Sequence, residues 1–153
     1  MATLVKIGIL TIGSPEFGNK DFIPPQYTCQ GEDINPPLTV EGIPPGTKSL
    51  ALIVEDPDAP GGTHDHWLIW NIHPMEMILE NTTPGVEGKN SFGNIRYNGP
   101  CPPSGTHRYF FKVYALDKLL DVQSGSDKKT VVKAMNDHIL AEGELIGVYK
   151  KTK

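Results

Sequence analysis

Short apolar runs, cut again and again by proline and glycine, limit what this chain can fold into. It holds 16 glycines and 14 prolines among 153 residues. Those 30 are well above the average share of roughly 12%, yet short of the range of about 25–30% that goes with disorder. Each proline fixes φ and removes a backbone donor. Few gaps between these breaks leave room for a helix of ordinary length. Runs such as Leu50-Ala51-Leu52-Ile53-Val54 and Leu68-Ile69-Trp70-Asn71-Ile72 suit strands instead. The expectation is a mainly β chain, folded as one domain over residues 1–153 with a sizeable core.

In chain order, Leu4 to Ile12 is expected as the first strand and Leu38-Thr39-Val40 as a short one. Ser49 to Glu55 is apolar on both faces, which places it centrally in a sheet. Trp67 to Ile72 follows as a strand. Met75 to Gly88 reads as an irregular connection, and Asn90 to Cys101 as loop. From Thr106 the strand signal is clearest. A period of two puts His107, Tyr109, Phe111 and Val113 on one face and Arg108, Phe110, Lys112 and Tyr114 on the other. One helix is expected from Lys128 to about Asn136, capped by Ser126 or Asp127, with Val132, Met135 and Ile139 at helical spacing. Ala141 to Tyr149 alternates again and is expected as the last strand.

Charge and cysteine content narrow the function classes. A net charge of −4 argues against a nucleic-acid backbone as the main partner. No stretch approaches the roughly 20 apolar residues of a membrane helix. The segment from Met1 to Thr11 is too short and mixed for a signal peptide, so a cytoplasmic location is expected. In that reducing compartment Cys29 and Cys101 would be thiols.

The stretch Asp56-Pro57-Asp58-Ala59-Pro60 and the following Gly61-Gly62-Thr63-His64-Asp65-His66 read as a rigid loop between two strands. It carries carboxylates and imidazoles. If it lies beside His107 and Tyr109, and beside Gly99-Pro100 where backbone can approach closely, a small polar pocket results. Imidazolium, phenol and free backbone N–H groups donate to an anion, and a carboxylate can orient a histidine and favour its charged form. Plainer roles stand beside this one. Asp56 and Asp58 next to proline suit turn amides. The histidines suit ordinary loop or core hydrogen bonds, and Trp67, Trp70 and Phe110 suit the core.

Several of these motifs occur together in an order that resembles the phosphatidylethanolamine-binding protein family, also called Raf-kinase-inhibitor-like. They are Asp56-Pro57-Asp58-Ala59-Pro60 and His66-Trp67, then Gly99-Pro100-Cys101-Pro102-Pro103 and His107-Arg108-Tyr109. Tyr27-Thr28-Cys29, Gly31-Glu32-Asp33, Pro36-Pro37-Leu38 and His138-Ile139-Leu140-Ala141-Glu142 are similar to its short prokaryotic branch. The resemblance implies a two-sheet antiparallel β-sandwich with one helix in the C-terminal half and short helical turns. It also implies an anion pocket using Asp56, Asp58, His66, Gly99, Pro100, His107 and Tyr109, and a cis Ala59–Pro60 bond. The chain stops at Lys153, without the C-terminal helix that covers the pocket of animal members. A more open site, or one covered by a second subunit in a homodimer, is expected.

Two functions follow. The first is a non-enzymatic module, with no cofactor, that recognises phosphate-type groups on a lipid head group, small phosphocompound or phosphoprotein, with a protein kinase or protease as partner. The second is a metal-assisted hydrolase using His64, His66, His107 and an aspartate. Against the second, no His-Glu-x-x-His and no Gly-x-Ser-x-Gly motif occurs. The His64-Asp65-His66 spacing is also a weak metal signal.

Overall fold

The computed structural model describes residues 6–152. Strands form at Gly8–Ile9 (β1), Thr11–Gly13 (β2), Leu38–Glu41 (β3), Ser49–Asp56 (β4), His64–Ile72 (β5), Met77–Ile78 (β6), Val86–Glu87 (β7), His107–Leu116 (β8) and Ile139–Tyr149 (β9). A helix, α1, spans Lys128–Met135, and a single 3-10 turn covers Pro25–Tyr27. Six strands make one sheet in the order β1-β9-β8-β4-β5-β7, and three make a second in the order β2-β3-β6. All pairings are antiparallel except β1 with β9.

The large sheet is covered on both faces, which explains the unbroken apolar runs of its centre. Leu50, Leu52 and Val54 of β4 pack with Trp67 and Ile69 of β5 and with Leu38, Val40 and Ile78 of the small sheet. The alternate residues Ala51, Ile53, Leu68 and Trp70 meet Val131 and Met135 of α1 instead. Full burial of such a side chain contributes roughly 1.5–3 kcal/mol. The β8 face with His107, Tyr109, Phe111 and Val113 is buried, as the period of two predicts.

Local differences from the sequence reading have physical causes. The first strand divides at Leu10: β1 joins the large sheet and β2 the small one. Leu4 and Val5 lie outside the described residues. Asp127 caps α1 by accepting from Thr130 N at 2.9 Å. The buried stripe of α1 is Val131 and Met135, while Val132 is 39% exposed and Ile139 already belongs to β9. The segment Met75 to Gly88 supplies the two short strands β6 and β7.

The strand after the proline loop begins at His64, not Trp67, because β4 and β5 stay paired to Asp56↔His64 across a register shift. So the loop is only residues 57–63, and His64 and His66 are strand residues. The Ala59–Pro60 bond is trans, as no cis bond occurs among the described residues. Gly61 (φ 83°) and Gly62 (φ 124°) turn the chain there. Gly62 N donates to Ala59 O at 3.2 Å. Cys29 and Cys101 are joined in a disulfide rather than held as thiols. The segments 27–33 and 97–101 are stitched side by side by one backbone bond, Cys29 N to Pro100 O, and by side-chain bonds of Asp33 and Tyr97, and the two Cα atoms lie 5.5 Å apart. Among the described residues no helix is long and apolar enough to cross a membrane.

Candidate functional site

A cavity of about 300 Å³ opens where β4, β5 and β8 meet the proline loop. Asp56, His64, His66 and Tyr109 give its polar lining, and Ala59, Pro60, Phe92, Cys101, Pro102 and Pro103 the rest. Strand alternation explains the set. His64 and His66 point in, while Asp65 between them points to the opposite face and meets Lys128 Nζ at 2.7 Å. The next inward residue of β8 after His107 is Tyr109.

Two of the inward groups, His66 and Asp56, are held by partners outside the cavity. His66 Nδ1 lies 2.7 Å from Asn98 O. A carbonyl only accepts, so Nδ1 carries the proton and Nε2 is left to the pocket. Burial pushes the His66 imidazole below its ordinary range, only partly offset by the Asn98 carbonyl. Asp56 is buried, with Oδ2 2.6 Å from His107 Nδ1 and Oδ1 accepting from Asp58 N at 2.8 Å. Asp56 therefore has a fixed orientation.

Two buried polar side-chain atoms lack a partner among the described residues, His64 Nε2 and Tyr109 OH, and both residues line this cavity. Burial, then the Asp56 charge, pushes the Tyr109 phenol well above its usual range. It therefore stays a neutral O–H donor at any physiological pH. Leaving such a group unsatisfied costs about 1–3 kcal/mol. The Phe92 ring stands edge-on to both imidazoles, with centroids 4.5 Å from His64 and 5.1 Å from His66.

Of the residues expected at the site, Asp56, His66 and Tyr109 line the cavity. His107 does not line it and reaches it through Asp56. Asp58 is turned away. Its carboxylate takes Arg108 Nε and Nη2 at 2.9 Å each, and also Arg108 N at 2.9 Å. The Arg108 guanidinium holds its carboxyl down at about 2. Gly99 and Pro100 set the position of the wall. Gly99 N donates to Asp33 Oδ1 at 2.7 Å, and Pro100 O accepts from Cys29 N at 3.1 Å. A Cβ at Gly99 would run into Tyr27 O and Thr28, so only glycine allows this approach.

The sequence reading placed no role on Phe92, or on the Asn90 that holds it. Asn90 Oδ1 accepts from Phe92 N and Asn94 N at 3.0 Å each. This loop has no periodicity to read. Its one signal is a phenylalanine amid Asn90, Ser91, Gly93 and Asn94. His64 and His66 share the cavity, but no group of three or more His, Cys, Asp or Glu among the described residues is placed to hold a metal.

Comparison with known proteins places this geometry in context. The family model described as phosphatidylethanolamine-binding protein matches residues 13–150. A UPF0098 protein of Pyrococcus horikoshii is 46% identical, with 99% of this chain and 87% of the relative covered. A UPF0098 protein of Methanothermobacter thermautotrophicus is 48% identical, with 88% and 95% covered. Among solved structures, a putative phosphatidylethanolamine-binding protein homolog from Chlamydia trachomatis superposes with a TM-score of 0.91 at 40% identity. That match covers 95% of this chain and 99% of the other. E. coli YbcL, described as a member of the mammalian PEBP family, gives 0.85 at 32% identity, covering 94% and 99%.

Proposed function

The chain belongs to the phosphatidylethanolamine-binding protein family, and from that premise we propose that it is a binding module for phosphate-type anions. Membership supports a binding role in general. The phosphate class rests on one observation: two buried polar atoms without partners among the described residues, the Tyr109 hydroxyl donor and His64 Nε2, which donates when it carries a proton, line the same cavity as His66. A tetrahedral anion offers acceptors to all three. Asp56 opposes an anion by its charge, but His107 Nδ1 and Asp58 N–H already occupy its oxygens. The apolar wall of Pro60, Phe92, Pro102 and Pro103 leaves room for a small organic substituent on the phosphate. A phosphorylated side chain presents the same group, and kinase- or protease-linked regulation would act through it.

The pH dependence has a definite sign. Burial lowers the free His66 pKa. A bound anion favours the charged imidazole and raises it. Binding therefore takes up a proton, and affinity falls as pH rises from the free value through the bound one. Calorimetric titration of inorganic phosphate and phosphoethanolamine at pH 6 and pH 8 tests this. The parent should bind more tightly at pH 6. Tyr109→Phe removes one donor to a charged group and should weaken binding about tenfold or more. Equal affinity in parent and variant would place the anion elsewhere.

Cytoplasmic residence and a homodimer that covers the cavity are part of the same proposal. Native mass spectrometry reads the subunit count. In the cytoplasm the Cys29–Cys101 bond would face a pool of small thiols.

A further inference from the structure

The disulfide is asymmetric in its surroundings. Cys29 is exposed at the surface, while Cys101 is half-buried and forms part of the cavity wall. Thiol–disulfide exchange is fastest when the attacked sulfur is accessible and the departing sulfur is a good thiolate. A thiolate is stabilised by nearby donors and positive charge. Cys101 shares its cavity with two buried polar atoms that have no partner among the described residues, the Tyr109 hydroxyl and His64 Nε2, and with Asp56, whose opposing charge is engaged by His107 Nδ1 and Asp58 N–H. So the exposed cysteine and the cysteine on the cavity wall are different ones.

We propose that Cys29–Cys101 is an exchangeable disulfide, opened by a small-molecule thiol of the glutathione class at Cys29, with Cys101 leaving as a thiolate into the pocket. In the first step the external thiolate forms a bond to Cys29 Sγ, the Cys29–Cys101 bond breaks, and its electron pair stays on Cys101 Sγ. In the second, another thiolate attacks the external sulfur of the mixed disulfide. Cys29 leaves as a thiolate, and the two small thiols depart as their own disulfide. Two small thiols supply the two electrons, and the reverse sequence restores the bond.

The fold tolerates the opening, because other bonds hold the same seam. Cys29 N still donates to Pro100 O, Gly99 N to Asp33 Oδ1, and Tyr97 OH to Tyr27 O at 2.8 Å. The reduced chain therefore keeps Cys101 at the cavity wall. Its thiolate takes donors that an anionic ligand would use. On the phosphate reading, which this part rests on, reduction weakens phosphate binding. Phosphate then favours the disulfide by the same factor, since coupling between two sites is reciprocal.

The first test contains no phosphate. Oxidised full-length protein is incubated with reduced glutathione near neutral pH, quenched with acid, alkylated and mapped by peptide mass spectrometry. The expected adduct is glutathione on Cys29 with Cys101 alkylated. Glutathione on Cys101, or reduction only under denaturant, overturns the proposal. The second reads iodoacetamide alkylation of the reduced protein against pH. Cys101 should react at lower pH than Cys29, and Tyr109→Phe should raise the Cys101 midpoint by about one unit. If that variant does not fold, the comparison of the two cysteines in the parent still decides. Should phosphate bind while Cys29 and Cys101 titrate alike, this inference fails and the phosphate reading stands. Should the cysteines behave as expected while phosphate does not bind, the reverse holds.

Discussion

Tyr109 contributes a large apolar surface to the core and aims its one polar atom into a cavity, where among the described residues it has no partner. Asp56 beside it holds the His107 ring and the Asp58 amide, and on the proposed function it orients the site rather than binding the anion. Simple electrostatics predicts that Asp56→Asn tightens anion binding. The geometry predicts the opposite, because His107 Nδ1 loses its carboxylate. A loss of about tenfold in phosphate affinity by calorimetry is expected, and a gain would discard the orienting role. Asp58 makes a separate prediction. Its carboxyl is depressed to about 2 by Arg108. A depressed carboxyl contributes stability above its unfolded value near 3.9, lost as pH falls toward 2. The pair is exposed, with side-chain exposures of 54% for Arg108 and 28% for Asp58, so solvent screens it and it adds little to stability. Arg108→Ala should move the Asp58 carboxyl shift in an NMR titration up toward the ordinary aspartate range, with little change in melting temperature.

Strands with two different faces were legible from residue spacing, and loops were not. The alternation of β8 puts His107 and Tyr109 on one common face, which the structure buries, and the apolar run of β4 marks a sheet centre covered on both faces. The start of β5 was missed for a physical reason. His64 and His66 face a cavity rather than core, so a true strand carries polar residues on its inward side and reads as loop. Phe92 was missed because a loop tied by the side chain of Asn90 has no period. The stripe of α1 was off by one residue because Val131 and Val132 are chemically the same and adjacent, and only packing against Trp70 and Leu120 separates them. That difference can be measured. Met135→Ala should cost about 2–5 kcal/mol, and Val132→Ala on the exposed side close to nothing, by urea unfolding. Asp127→Ala should lower the urea midpoint through the lost cap. Equal losses at Val131 and Val132 would contradict the packing of the helix described above.

The described molecule is a two-sheet sandwich with a helix behind the larger sheet, and its candidate cavity lies where the β4–β5 connection meets Cys101, Pro102 and Pro103. One cross-link spans most of this architecture. Cys29 and Cys101 are 72 residues apart in sequence, a pairing no local pattern reveals. A loop of that size is worth about 4 kcal/mol in the chain-entropy account. Replacing both cysteines with alanine should therefore lower the melting temperature by roughly 8–16 °C while leaving the far-UV dichroism of a β protein. The central claim concerns the cavity, and nitrogen NMR of the five histidines during a phosphate titration tests it most directly. His73 and His138 are outside the cavity and serve as internal controls. The account predicts that ring nitrogens of His64 and His66 shift with phosphate, that His66 titrates at higher pH when phosphate is bound, and that His73 and His138 stay unchanged. Phosphate that binds while the His64 and His66 nitrogens do not move would contradict it.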